Sequence, residues 1–275
     1  MPISTRRLPR FPLLRQTWRF QRVRLALVCI ALAAWGFVLP IVYARFGSQF
    51  SALMNSGLLP EQFAKFGGGD VFSLSGTIAL SFIHPIAIIL TSVFAIGFSS
   101  SAIAGERQKG TLEVALARPI SRRTFYFTLL VASFVFVGTT IAALLAGGGS
   151  GSAFAGVVGE LELEHVPLLW LNGVLLFGAI AAIGLAASVS CDRLPPALGW
   201  ALGIVIAMYV MQVLGSLWPA AEKLQPYSLF YYLKPKPILT GAAEPFDLAV
   251  LTLVILLAVG WALVVFPRRD LAAPS

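Results

Sequence analysis

Between Gly105 and Arg123 the chain reads GERQKGTLEVALARPISRR. Seven of these nineteen residues are charged, in a sequence where charged residues make up only 12%. Glu106, Arg107, Lys109, Glu113, Arg118, Arg122 and Arg123 offer ion pairs and charge-assisted hydrogen bonds, which is docking chemistry rather than bond-breaking chemistry. Other reactive residues are sparse. His84 and His165 are isolated, and Cys29 and Cys191 lie far apart outside any CxxC pattern. No metal site is expected, and the two thiols read as reduced and structural. His84, in SFIHPIA, stands inside an apolar run, where an ionisable group is by default a functional candidate. The bland reading is a neutral histidine bonded to a neighbouring helix.

The elements that hold these residues follow from hydropathy. The chain has 275 residues, 58% of them hydrophobic, with a mean hydropathy of +0.86. Soluble domains carry about 45–50% apolar and about 25% charged residues. This composition excludes a soluble domain and points to an all-α integral membrane bundle. About 20 apolar residues cross the hydrocarbon core. Runs free of Asp, Glu, Lys and Arg predict six spans, at about 25–44, 77–104, 124–146, 167–188, 196–217 and 247–266. Together they form one transmembrane domain over 1–275, with no internal repeat and no cleaved signal peptide expected. The third span is expected to stop at the glycines of GGGSGS, Gly147–Ser152. Pro85 is expected to loosen or kink the second. GWALG, Gly199–Gly203, is a GxxxG pattern of the kind that packs helices.

Charge sets the orientation. Fifteen of the twenty Lys and Arg fall on the side of the termini, of the 105–123 segment and of the loop between spans four and five. Acidic residues lean the other way, with eight of twelve opposite. Positive residues favour the cytoplasm, so both termini are expected there. The net charge of +8 is then mostly topology, and no aromatic-interleaved basic surface suggests nucleic acid. In residues 11–24, Phe11, Leu14 and Trp18 share one helical face, and Arg15, Arg19 and Arg22 a neighbouring one. That pattern predicts a helix in the lipid interface, with Trp18 at headgroup depth and arginines reaching phosphates.

Residues 105–123 thus become a cytoplasmic segment between spans two and three. TLEVALA favours a helix, with Thr111 at its start and Leu112, Ala115 and Leu116 on an apolar face. Pro119 ends it, and Ser121 is placed to cap the next helix. Such a helix, held between two spans, suits a soluble partner. Glu, three residues, Gly-Thr-Leu-Glu, a short apolar stretch and Arg-Pro-Ile-Ser-Arg also resemble the first cytoplasmic loop of type-2 ABC exporter permeases. The resemblance extends to six spans, an interfacial N-terminal helix and a large last external loop.

The resemblance implies a coupling helix resting on a separate ATPase. It gives that role to Glu106, Arg107, Gly110, Thr111, Glu113, Arg118, Pro119 and Arg122. The sequence has no G-x-x-x-x-G-K-[ST], so ATP and Mg would be bound by the partner. The implied assembly has two ATPase subunits and a second permease, identical or similar, in the plasma membrane of a prokaryote. It would move a hydrophobic or amphipathic substrate outward by alternating access. By the same analogy Phe82, His84, Phe94, Met208 and Met211 are candidates for the substrate path. The aromatic and proline-rich stretch 218–241 would cap its exit or serve as an interfacial belt. Two rivals remain at this point. A membrane-embedded enzyme would need convergent reactive groups within the spans, and only His84 qualifies. A structural or assembly protein would need no ATPase-docking loop.

Overall fold

The computed structural model describes residues 12–55, 73–117 and 120–269. Among these all regular structure is helical. Six helices are long and apolar enough to cross a membrane: Thr17–Gly47, Pro85–Gln108, Arg122–Phe154, Leu163–Ser190, Leu194–Leu217 and Pro245–Arg268. The elements are α1 (Pro12–Asn55), α2 (Leu74–Ile83), α3 (Pro85–Gln108), α4 (Thr111–Leu116) and α5 (Arg122–Phe154). They continue with α6 (Val166–Ser190), α7 (Leu194–Leu217), α8 (Pro235–Leu239) and α9 (Pro245–Arg268). Helices α6, α7 and α9 lie within two residues of the expected ends of spans four to six.

The first three spans differ from expectation. Helix α1 runs unbroken for 44 residues through the buried Pro40. No breaker separates residues 12–24 from the span, so the expected boundary between an interfacial helix and a span at 25–44 is not a structural one. Span two is interrupted at His84, whose backbone is extended at φ −65 and ψ 140. The ring of Pro85 disfavours the helical region for the residue before it, so α2 stops and α3 restarts. The membrane-length helix is therefore 85–108 rather than 77–104.

The glycine run after span three is not a stop. Helix α5 continues through Gly147–Ser152 to Phe154. A Cβ on Gly147 or Gly151 would overlap the carbonyls of Ala33 or Phe37, and one on Gly36 the carbonyl of Leu144. The glycines are a contact face, and α1 against α5 is the most extensive helix pair. In lipid, where apolar burial alone drives helices together weakly, such close backbone approach supplies the attraction. The GxxxG at Gly199–Gly203 plays no such part within the chain. A Cβ at either glycine meets nothing within 4 Å, and the neighbouring Trp200 is exposed.

Span four, α6, is the most enclosed of the six, whereas spans one, five and six present most of their surface outward. The inner helices α2, α3 and α5 pack on α6 through Phe82, Ile96, Ile141, Leu176 and Ile180. Indole donors tie neighbours together: Trp35 Nε1 donates to the Ser81 carbonyl at 3.2 Å, and Trp170 Nε1 to the Gly138 carbonyl at 2.9 Å. Both bonds satisfy a polar tip that would be costly in a dry interior.

Candidate functional site

Two places concentrate polar chemistry, one at each end of the bundle. The first is the segment after span two. Helix α3 ends in a π-helical turn, Ser101–Gly105, and one last turn, Glu106–Gln108. Gly110 then adopts φ +70, a left-handed conformation that glycine takes without strain, and reverses the chain into α4. Thr111 is not the cap of that helix; Gly110 occupies the cap position with no side-chain bond. The Thr111 hydroxyl instead donates back to Glu106, at 2.6 Å to Oε2 and 3.1 Å to the carbonyl oxygen. Lys109 Nζ lies 3.7 Å from Glu106 Oε1. Leu112 is buried, whereas Glu113 faces outward and Val114 is 72% exposed. Ser121 caps α5 as expected, accepting from the Thr124 amide at 3.1 Å.

Two arginines of this segment, Arg107 and Arg122, are held within the chain. Arg107 Nη1 is 3.0 Å from Asp192 Oδ1 in the loop between α6 and α7, and Arg269 donates to that same oxygen. Arg269 also donates to the Val189 carbonyl at 3.1 Å. Arg122 Nη1 donates to the carbonyls of Phe266, Pro267 and Arg269 at 3.1, 3.1 and 2.7 Å. A cation there satisfies orphan carbonyls and complements the negative end of α9. Arg118 and Pro119 lie outside the described residues. The segment thus combines an outward apolar and acidic face with a base fixed to spans four and six.

The second place is at the opposite end. A cavity of about 590 Å³ opens between α2, α3, α7 and the connector after α7. Ile83, Ile88, Tyr209, Gln212, Tyr231 and Lys234 line it. The connector is a set of short helical turns, Pro219–Tyr227, Leu229–Tyr232 and α8. Lys234 Nζ is 3.3 Å from Asp247 Oδ1, 3.7 Å from Glu244 Oε2 and 5.0 Å above the Tyr231 ring. Burial pulls the Lys234 ammonium down, but these two carboxylates outweigh it and hold its pKa above the ordinary lysine value. Asn172 Nδ2 donates to the Tyr232 carbonyl at 3.0 Å, and Tyr232 Oη to the Pro226 carbonyl at 2.8 Å. These contacts anchor the connector to spans four and six.

The residues assigned to a path by analogy are dispersed. Phe82 and Phe94 belong to the buried core, Phe94 meeting the edge of Phe136 at 6.1 Å between ring centres. His84 stacks on Trp35 at 4.5 Å, and its Nδ1 accepts from the Ile86 amide at 3.3 Å, which makes it the cap of α3. Met208 and Met211 are half-buried on α7. None of the five lines the cavity. At the first span Trp18 is 45% exposed and packs on Phe136, and Arg19 and Arg22 are exposed; the Arg15 side chain, like Phe11 and Leu14, lies outside what is described.

Sequence reasoning missed Ser188, Asp192, Lys234 and Asp247. The available signal was that Asp192 is the sole acid between spans four and five and Asp247 the first charge of span six. Glu162, Glu164 and His165 also gather, with ligand-type atoms within 4.8 Å of one another, so His165 is not isolated as its place in the sequence suggests. His165 Nδ1 lies 3.3 Å from Glu162 Oε2 and its Nε2 4.0 Å from Glu164 Oε1, and these contacts account for the grouping.

The family model described as ABC-2 family transporter protein matches residues 19–271. No curated protein matches the chain.

Proposed function

The chain belongs to the ABC-2 transporter family, a membrane component of ABC transporters, and we propose that it is the permease of an exporter driven by a separate ATPase. In this reading residues 105–123 form the coupling helix and dock on a separate ATP- and Mg-binding subunit. Two such subunits serve a pair of permeases, a second copy of this chain or a similar one. The pair sits in the plasma membrane with both termini cytoplasmic, and cycles between inward and outward access.

One observation carries the reading. The Gly110 turn presents Glu113 and Val114 outward from a short helix whose base is held to spans three, four and six. A surface that must transmit force needs such an exposed contact on a fixed base. The cavity at the far end supports a hydrophobic or amphipathic substrate, since apolar Ile83, Ile88 and Tyr231 stand beside the paired Lys234. The exposed Gly199–Gly203 face of α7 suits close approach of the second permease.

Affinity purification of the tagged chain in mild detergent, followed by mass spectrometry and an ATPase assay, tests this. An ATP-binding subunit should come down in near-equal amount, and Glu106→Ala with Arg118→Ala should weaken its retention. A chain that purifies alone, stable and without ATPase activity, would return the structural or assembly role to the lead.

A further inference from the structure

The bonds that fix the coupling segment converge on one residue of span four and one of the loop after it. Ser188 is fully buried. Its hydroxyl accepts from the amides of Ile103 and Ala104, at 3.2 and 2.8 Å, and donates to the Ser100 carbonyl at 2.7 Å. A π-helical turn takes backbone groups out of the ordinary helical ladder, and one side chain satisfies three of them here. On the next turn Gln108 Oε1 accepts from the Leu194 amide at 2.9 Å, and Asp192 bridges Arg107 and Arg269. Four residues earlier in α6, Gly184 leaves room for Ser99, whose hydroxyl fills the space a Cβ would take.

We propose that Ser188 and Asp192 are positioning residues for energy coupling. They clamp the π-helical end of span two to spans four and six, so that a displacement at residues 105–117 moves the three spans as one body. Without the clamp the irregular turn at 101–105 would absorb the displacement by bending. The two contributions are unequal. The Ser188 bonds are dry, whereas Asp192 has a side chain 49% exposed and its pairs are screened by solvent. Ser188 therefore carries the mechanical link and Asp192 the orientation of the arginines. This inference rests on the ATPase-coupled reading above.

Hydrogen exchange followed by mass spectrometry tests it in two arms. In the permease alone, Ser188→Ala should speed exchange across 101–108 by about tenfold, and Asp192→Asn by less. In the ATPase complex, both variants should retain the ATPase subunit but lose the change that ATP with Mg induces in exchange across 219–239. A purely structural role would lower yield and leave that response intact. Unchanged exchange at 101–108 in both variants, or an intact response at 219–239, would overturn the proposal. If no ATPase accompanies the native chain, the coupling reading fails, and the first arm still decides whether the clamp exists.

Discussion

Gly147 on α5 and Ala33 on α1 meet with no room for a side chain between them: a Cβ on the glycine would overlap the Ala33 carbonyl. The contact repeats one turn later at Gly151 and Phe37, and in reverse at Gly36 and Leu144. Span one is thereby attached along a backbone-to-backbone seam, to which the Trp18–Phe136 and Phe37–Phe154 contacts add.

That seam makes a sharp mutational contrast. Gly147→Val or Gly151→Val should force α1 and α5 apart and destabilise the bundle by about 1–3 kcal/mol. Gly149→Ala, in the same glycine run, meets nothing within 4 Å and should leave stability unchanged. Thermal denaturation in detergent, read by size-exclusion chromatography after heating, compares the three. Equal losses would mean the run matters for flexibility and not for contact.

The outer connector depends on a partly buried ion pair. Asp247 is 4% exposed, and Lys234 is its nearest cation. Lys234→Met leaves the carboxylate uncompensated and should cost about 3 kcal/mol. Adding Asp247→Asn should recover most of that loss, because breaking a buried pair costs more than removing both charges. A double-mutant cycle on unfolding midpoints measures the coupling; additive losses would contradict the pairing.

His84 acts on helix geometry before it acts on any substrate. Its ring caps α3 through Ile86 and stacks on Trp35. His84→Ala should lower stability by about 1 kcal/mol, and His84→Asn, which keeps a capping acceptor, by less. Equal losses would show that the Trp35 contact matters more than the cap.

Cys191 lies just past the end of α6, in the loop that carries Asp192. Burial pushes its thiol up, Arg269 pulls it back and Asp192 adds a further push, leaving the pKa above the usual thiol value. The thiolate is the reactive form. Alkylation by a maleimide should be slow at neutral pH and should accelerate as pH rises past the range where a free thiol has already levelled off. A rate that levels with free cysteine would contradict this environment.

Much of this architecture was legible because charged residues bracket long apolar runs. Glu164 and Asp192, or Asp247 and Arg268, mark span ends closely, since a charge is costly in the hydrocarbon. The cap at Ser121 was readable from local backbone chemistry. The errors have equally physical causes. Gly147–Ser152 reads as a helix stop in water, but against α1 the missing side chains are what permits the contact. The break at His84 is carried by the proline that follows it, and it is the exact span limits, not the kink, that shift. Ser188 had no local signal, and Asp192 stood out only as a lone acid, because the partners of both are more than seventy residues away in sequence.

The proposed function stands or falls on whether residues 105–123 dock on an ATPase subunit. A photo-crosslinking residue placed at Val114, with a second placed at the exposed Tyr227 as control, measures this in the membrane. An adduct with an ATP-binding protein is expected at Val114 and none at Tyr227, on the opposite end of the bundle. No adduct at Val114, or the same protein captured at both positions, would contradict it.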